Sequence, residues 1–273
     1  MSDVAPAPIV VKLGGDVLEG AALATTAADL ARVVAKTGQP LVIVHGGGAQ
    51  ATALSQRLGL TPVVIGGRRV TDAPTLEVMK MIVAGKLNVD LTTALRAAGV
   101  RAVGLSGSSG VVQARKRPPR VVAGGGPTPV DFGLVGDVVG FDLSLLSVLW
   151  KGAYVPVVAS LGLDDAGGSL NINADVVASQ LAAALVAQCL IAVTAVGGVR
   201  RDKDDPATRI ARLTVAEARA EITAGRVKGG MIPKLEEAFA PLEAGVGAVH
   251  IVAPGEVAGA VDAPGSVGTC LRP

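Results

Sequence analysis

The sequence predicts an α/β fold built on a mostly parallel sheet. Three observations predict it. Short β-branched runs alternate with longer Ala- and Leu-rich stretches, the rhythm of βαβ units. Glycine-rich turns follow several of those runs. Half of the 273 residues are apolar while 18% are charged and 2% aromatic, so a sizeable core must be made of Ala, Val, Leu and Ile.

In chain order, 9–13 reads as a strand closed by Gly14-Gly15, followed by a helix over 22–36. Pro40 opens a second strand, 41–45, which runs through three glycines into a helix ending near 58. Helices are expected over 74–85 and 87–98, and strands at 102–105 and 111–114. The stretch 117–140 is rich in Pro and Gly and reads as loops with a β-hairpin. A helix over 143–150 leads to a strand at 154–159. The second half repeats the rhythm: a helix over 174–187, a strand at 190–194, helices over 215–224 and 231–243, and strands at 248–252 and 267–271. A lobe boundary is expected near residue 170.

Composition excludes several functions. Net charge is +2, and the basic residues are dispersed apart from Arg115, Lys116 and Arg117, so no basic stripe marks a nucleic-acid partner. Cys189 and Cys270 lack CxxC spacing and read as reduced core residues of a cytosolic protein. The two histidines, His45 and His250, are too few and too far apart for a zinc site. Residues 1–8 carry no export signal, and no uninterrupted apolar run reaches the roughly 18 residues of a membrane span. A cytoplasmic location is the expectation.

Three turns could carry chemistry: Lys12-Leu13-Gly14-Gly15, His45-Gly46-Gly47-Gly48 and Ala195-Val196-Gly197-Gly198. Glycine lets backbone N–H groups approach a phosphate, and a following helix adds its dipole. Tight strand-to-helix turns need glycine anyway, so both readings stay open at any one turn. Neither GxxxxGK[ST] nor GxGxxG is present. Lys12 ends an apolar strand, where a charge is costly unless it projects into a polar cleft. Lys234 opens a helix, the wrong end of the dipole for a cation unless an anion binds there. For each lysine a solvated surface position is the alternative.

Asn171, Asn173 and Asp175 stand at i, i+2 and i+4, on one face if the backbone is extended. The alternative is that one of them caps the following helix. Arg68-Arg69 before Val70-Thr71-Asp72 offers either a guanidinium fork for a carboxylate or a capped surface turn.

Taken together, VVKLGGDVLEG, LVIVHGGGAQ, GRRVTDAPTLEVMKMIVAGKLN, VDFGLVGDV, VPVVASLG, LNINADVVASQLA and GGMIPKLEEA resemble the amino acid kinase family. They fall in the family's order across residues 9–251. The resemblance implies a three-layer α/β/α sandwich around a mainly parallel central sheet. It implies an N-terminal lobe, 1–170, for the acceptor and dimerisation, and a C-terminal lobe, 171–273, for the nucleotide, the lobes sharing one sheet.

By the same resemblance, Lys12 and Lys234 would stabilise the transferring phosphoryl group and Asp175 would hold them. Gly14, Gly15 and Gly46 would donate to phosphate. Gly47, Gly48, Arg69, Asn171 and Asn173 would bind the acceptor. Ala195, Val196, Gly197, Gly198, Val199, Arg200, Arg226, Val227 and Lys228 would hold the nucleotide. The implied reaction uses ATP, with Mg²⁺ carried on its phosphates and no protein metal site. It converts N-acetyl-L-glutamate to an acyl phosphate, the second step of arginine biosynthesis. A 2-aminoadipate derivative is an alternative acceptor, and a non-catalytic nucleotide or amino-acid sensor an alternative role.

Three departures stand out. Ser108 and Ser109 lie where the family often carries Lys-Asp, and Ala195 lies where an Asp usually begins the nucleotide turn. The segment 257–273 lacks the leucine-rich helix before the last strand, which points to a homodimer and away from a hexameric, arginine-inhibited assembly.

Overall fold

The computed structural model describes residues 6–122, 126–202, 204–227 and 231–273. β1 (Ile9–Leu13) passes through a 3₁₀ turn at Gly15–Val17 into α1 (Gly20–Thr37), and β2 (Leu41–His45) leads into α2 (Gly48–Arg57). A short hairpin, β3 (Val64–Ile65) and β4 (Arg68–Arg69), precedes α3 (Ala73–Met79), a π-helical segment Lys80–Leu87 and α4 (Asn88–Ala97). Then come β5 (Ala102–Ser106), β6 (Val112–Lys116), β7 (Gly136–Phe141), α5 (Ser144–Lys151), β8 (Val155–Ala159), β9 (Leu161–Leu163) and β10 (Ser169–Asn171). The remainder is α6 (Ala174–Ala184), β11 (Cys189–Val193), β12 (Arg212–Thr214), α7 (Val215–Thr223), α8 (Met231–Glu243), β13 (Val249–Val252), α9 (Val257–Asp262) and β14 (Thr269–Arg272).

Among the described residues the main sheet has eight strands in the order β12-β14-β13-β11-β1-β2-β8-β5. All neighbours are parallel except β13 and β14. Strand alternation divides the core into two layers. Ile9, Val11 and Leu13 pack with α1, α4 and α9, while Val10, Val42 and Val44 pack with α6 and α8. This is a three-layer α/β/α sandwich. Lys12 shares parity with Val10, so β1 directs it to the α6/α8 side.

The C-terminal ends of the central strands are level. Leu13 pairs with both His45 and Val193, and Val193 pairs with Val252. The turns that follow them therefore gather along one edge, on either side of β1, where chain order changes direction.

The structure differs from expectation at several places, among them a β3–β4 hairpin and a short β12 where no strand was read. The helices expected over 74–85 and 87–98 form one continuous rod with a π-helical middle. Gly85 does not break it, because Leu76, Val83, Leu87, Leu91 and Leu95 bury against the core and outweigh the roughly 1 kcal/mol propensity cost of one glycine. A second sheet, β10-β9-β6-β7, was not expected; β9 and β10 have only three residues each, too few to show an alternation. A six-residue α9 stands before the final strand, where no helix was read.

That short helix depends on a distant residue. Asp29 of α1 is fully buried, and its Oδ2 accepts from Val257 N–H (2.6 Å) and Ala258 N–H (3.3 Å). Asp29→Ala leaves both donors without a partner and should cost about 2–3 kcal/mol of unfolding free energy. Urea denaturation measures it; a loss below about 0.5 kcal/mol would contradict the assignment. Among the described residues, no helix is long and apolar enough to cross a membrane.

Candidate active site

Lys12 and Asp175 form an ion pair of 2.6 Å between β1 and the first turn of α6, and Lys12 is only 13% exposed. Lys234, in the first turn of α8, faces the same place. Burial lowers its ammonium from the usual lysine value; Asp16 opposes that shift, Lys12 reinforces it, and Asp175 and Glu237 oppose it. Two ammonium groups in a partly dry cleft invite an anion.

Glu237 follows Lys234 on the same helix face. Burial raises its carboxyl to about 7, helped by Asp175 and opposed by Lys12 and Lys234. Its surface stays open to solvent, so water screens part of that effect.

The two glycine turns flank this cluster. Gly14 N–H donates to Val193 O at 3.3 Å, and Gln50 Nε2 donates to Gly15 O at 2.7 Å. A Cβ at Gly47 would overlap Leu87 Cδ1, so the second turn packs directly on the π-helical segment. Among the described residues, the N–H groups of Gly15, Gly46 and Gly47 have no protein acceptor. They form a cradle suited to an anion.

His45 holds that cradle from beneath. Its Nδ1 lies 2.9 Å from Gly46 O, and Asn88 Nδ2 lies 3.0 Å from its Nε2. Asn88 donates, which assigns the proton to Nδ1. Burial lowers the imidazole to about 4, so it stays neutral.

His250 is likewise lowered to about 4, by burial and by Arg272. The unfolded chain binds these protons near the ordinary value of about 6.5, so the histidines' contribution is present above that value and is lost as pH falls toward 4. Glu237 acts with the opposite sign. The native protein keeps a proton that the unfolded chain releases near about 4.5, so its contribution declines as pH rises from there to about 7. Glu237→Gln should therefore gain Tm relative to the unmodified protein as pH rises across that window. Calorimetry at several pH values tests this, and a pH-independent Tm difference would contradict it.

Beside the lysines lies a cavity of about 640 Å³, lined by both glycine turns, Lys12, Asn171, Asn173, Asp175, Arg68, Arg69, Arg117 and Arg120. Arg69 Nη2 donates to Gly48 O (2.9 Å) and Thr52 Oγ1 (2.6 Å). Its Nη1 is buried with no protein partner, and burial lowers the guanidinium below its usual value. One guanidinium donor is thus left without a protein acceptor. Asn171 Nδ2 donates to Thr71 Oγ1 at 3.0 Å, and Arg117 pairs with Asp137 at 2.7 Å.

Asn171, Asn173 and Asp175 do not stand on one extended face. The strand ends at Asn171, and Asn173 caps α6 by accepting from Asp175 N–H at 2.8 Å. Capping wins because it satisfies a free donor of the new helix. All three still border the same cavity. Asp72 likewise caps α3, accepting from Thr75 N–H at 2.9 Å, while Arg68 and Arg69 both reach the cavity.

A smaller cavity of about 90 Å³ is bordered by Lys12, Asp175, Lys234, Glu237 and Thr194. Neither cavity is lined by the residues singled out for nucleotide. Ala195 N–H is taken by Asp16 Oδ2 at 2.9 Å, Val196 is exposed, and Gly197 and Gly198 have φ of 61° and 120°. Val199 and Val227 are buried in the α6/α8 core layer, and Arg226 pairs with Glu221 at 2.8 Å. Lys228 lies outside the described residues. Ser108 bonds Ser106 at 2.7 Å and lines neither cavity.

Sequence reading missed Asp16, Gln50, Glu237 and Arg120. An acidic residue directly after Gly14-Gly15, in a turn suited to anions, was the one available signal. The cysteines are free and buried, as expected of core residues.

The sequence pattern of the amino acid kinase family matches residues 7–253. The chain is 55% identical to the acetylglutamate kinase of Sorangium cellulosum, covering 98% of this chain and 96% of that protein. Among solved structures it is similar to N-acetylglutamate synthase from Neisseria gonorrhoeae complexed with coenzyme A and N-acetyl-glutamate. That match has a TM-score of 0.79 and 26% identity, over 98% of this chain and 59% of the other. Carbamate kinase from Giardia lamblia bound to AMP-PNP shares the fold, with a TM-score of 0.69 and 18% identity over 98% and 99% of the two chains.

Proposed function

The chain belongs to the amino acid kinase family, and from that premise we propose that it phosphorylates N-acetyl-L-glutamate with ATP. The products are N-acetyl-L-glutamyl 5-phosphate and ADP, and the reaction is the second step of arginine biosynthesis. The observation that carries the reading is the Lys12–Asp175 pair with Lys234 beside it, between two glycine turns and next to an arginine-lined cavity.

The acceptor carries two carboxylates. Its α-carboxylate takes the free Nη1 of Arg69, and Asn171, Asn173, Gly47 and Gly48 hold the acetylated amine. Its side-chain carboxylate is already ionised at neutral pH, so attack on the γ-phosphorus needs no general base. The remaining task is alignment and charge neutralisation. Lys12 and Lys234 neutralise the equatorial oxygens, Gly15 and Gly46 contribute N–H donors, Gly14, whose own N–H is taken by Val193 O, shapes the turn, and Asp175 orients the lysines.

Magnesium arrives as part of the Mg-ATP substrate. Among the described residues no group of three or more His, Cys, Asp or Glu gathers to hold a resident metal. Nucleotide lies on the C-terminal lobe, 171–273, over residues 195–200 and 226–228. Val199 and Val227 are buried, and their N–H groups are taken by Thr269 Oγ1 and Glu221 O, so they shape that surface from beneath. The N-terminal lobe, 1–170, binds the acceptor and dimerises in the cytoplasm; exposed Met81 and Val89 on the rod from α3 to α4 support a contact there.

An ADP-release assay over N-acetyl-L-glutamate, glutamate, aspartate and a 2-aminoadipate derivative tests the acceptor. N-acetyl-L-glutamate is expected to give the highest kcat/KM. A higher value for the aminoadipate derivative would transfer the assignment to that substrate, and nucleotide binding without turnover would mark a sensor.

A further inference from the structure

We propose that Asp16 is a positioning residue for the nucleotide: its carboxylate ties the glycine turn after β1 to the turn after β11 and so sets the surface that receives the ATP phosphates. The proposal rests on the phosphoryl-transfer reading above and adds a residue to it.

The two turns leave neighbouring strands, with Leu13 paired to Val193. They are joined twice. Gly14 N–H donates to Val193 O at 3.3 Å, and Asp16 Oδ2 accepts from Ala195 N–H at 2.9 Å across 179 positions of sequence. Asp16 is exposed, so burial does not force it to fold back across the gap. What permits the fold-back is Gly14, where any Cβ would overlap Asp16 Oδ1.

The link fixes what the second turn can offer. With Ala195 N–H occupied, the next donors are the N–H groups of Val196, Gly197 and Gly198, which have no protein acceptor among the described residues. Gly197 and Gly198 hold positive φ values of 61° and 120°, a backbone region that favours glycine and leaves no side chain over these N–H groups. Without Asp16 the first N–H of this turn is released and the turn loses its only side-chain tether to the β1 loop among the described residues.

The same carboxylate acts on the catalytic side. It is the largest of the charges that favour the protonated form of Lys234 against burial and against Lys12. A negative group so close to a phosphate path is otherwise unfavourable. Its place between the Ala195 N–H and Lys234 gives it work that offsets that repulsion.

The test compares Asp16→Ala and Asp16→Asn by calorimetric titration with AMP-PNP and magnesium, and by steady-state kinetics. Asp16→Ala should weaken AMP-PNP binding by about ten-fold or more and raise the KM for ATP in parallel. The KM for N-acetyl-L-glutamate should stay within about two-fold. Asp16→Asn keeps an acceptor oxygen for Ala195 N–H and should recover most of the nucleotide affinity. The proposal is overturned if Asp16→Ala binds AMP-PNP within about two-fold of the unmodified protein, if both KM values rise equally, or if Asp16→Asn is as weak as Asp16→Ala. Failure of the functional reading looks different: the unmodified protein would make no acyl phosphate, whatever the Asp16 variants bind.

Discussion

Lys12→Ala is expected to lower kcat by roughly 10³-fold or more while the protein stays folded. The residue sits at the end of a strand whose other side chains build the core, yet it is held by a single 2.6 Å ion pair with Asp175. Its charge is 13% exposed, so water screens it little, and its parity on β1 places it with Lys234 on the α6/α8 side. Removing it leaves Asp175 facing an incoming polyanion without its partner. Repulsion then adds to the lost neutralisation. Lys12→Arg should not restore the rate, because a planar fork cannot occupy the position of a compact ammonium. Circular dichroism checks the fold and single-turnover kinetics the rate; a loss of less than about ten-fold would remove Lys12 from the reaction.

Arg69→Ala should act on binding instead. The expected effect is a rise of about 10²-fold in the KM for the acceptor with kcat changed only a few-fold, the size of a lost charge-assisted hydrogen bond. Arg69 divides its donors: Nη2 serves Gly48 O and Thr52 Oγ1, and Nη1 remains for the ligand. Arg69→Lys has one ammonium for both tasks and should recover only part of the loss. Separate KM determinations for ATP and acceptor decide the matter. A rise confined to ATP would place the acceptor elsewhere.

Much of this was legible in the sequence because it follows from local rules. A lysine ending the apolar run 9–13 and two glycine turns at the ends of apolar strands marked the working edge. Asp72 and Asn173 were readable as caps. What stayed hidden depends on contacts between distant segments. Gly85 reads as a break until the core that overrides it is known. Asp29 looks like an ordinary helix-surface charge, yet it caps a helix 228 positions away. Asp16 and Ala195 are each unremarkable alone, and only the pairing of β1 with β11 brings them together. Nor could spacing show that Val199 and Val227 turn inward.

The central claim is that a carboxylate receives the phosphoryl group. Hydroxylamine trapping tests it most directly, since an acyl phosphate is converted to a hydroxamate that ADP release alone cannot reveal. With ATP, magnesium and N-acetyl-L-glutamate, the protein should yield hydroxamate in step with ADP, and Lys12→Ala should lose both together. ADP formed without hydroxamate, or hydroxamate formed at an unchanged rate by Lys12→Ala, would contradict it.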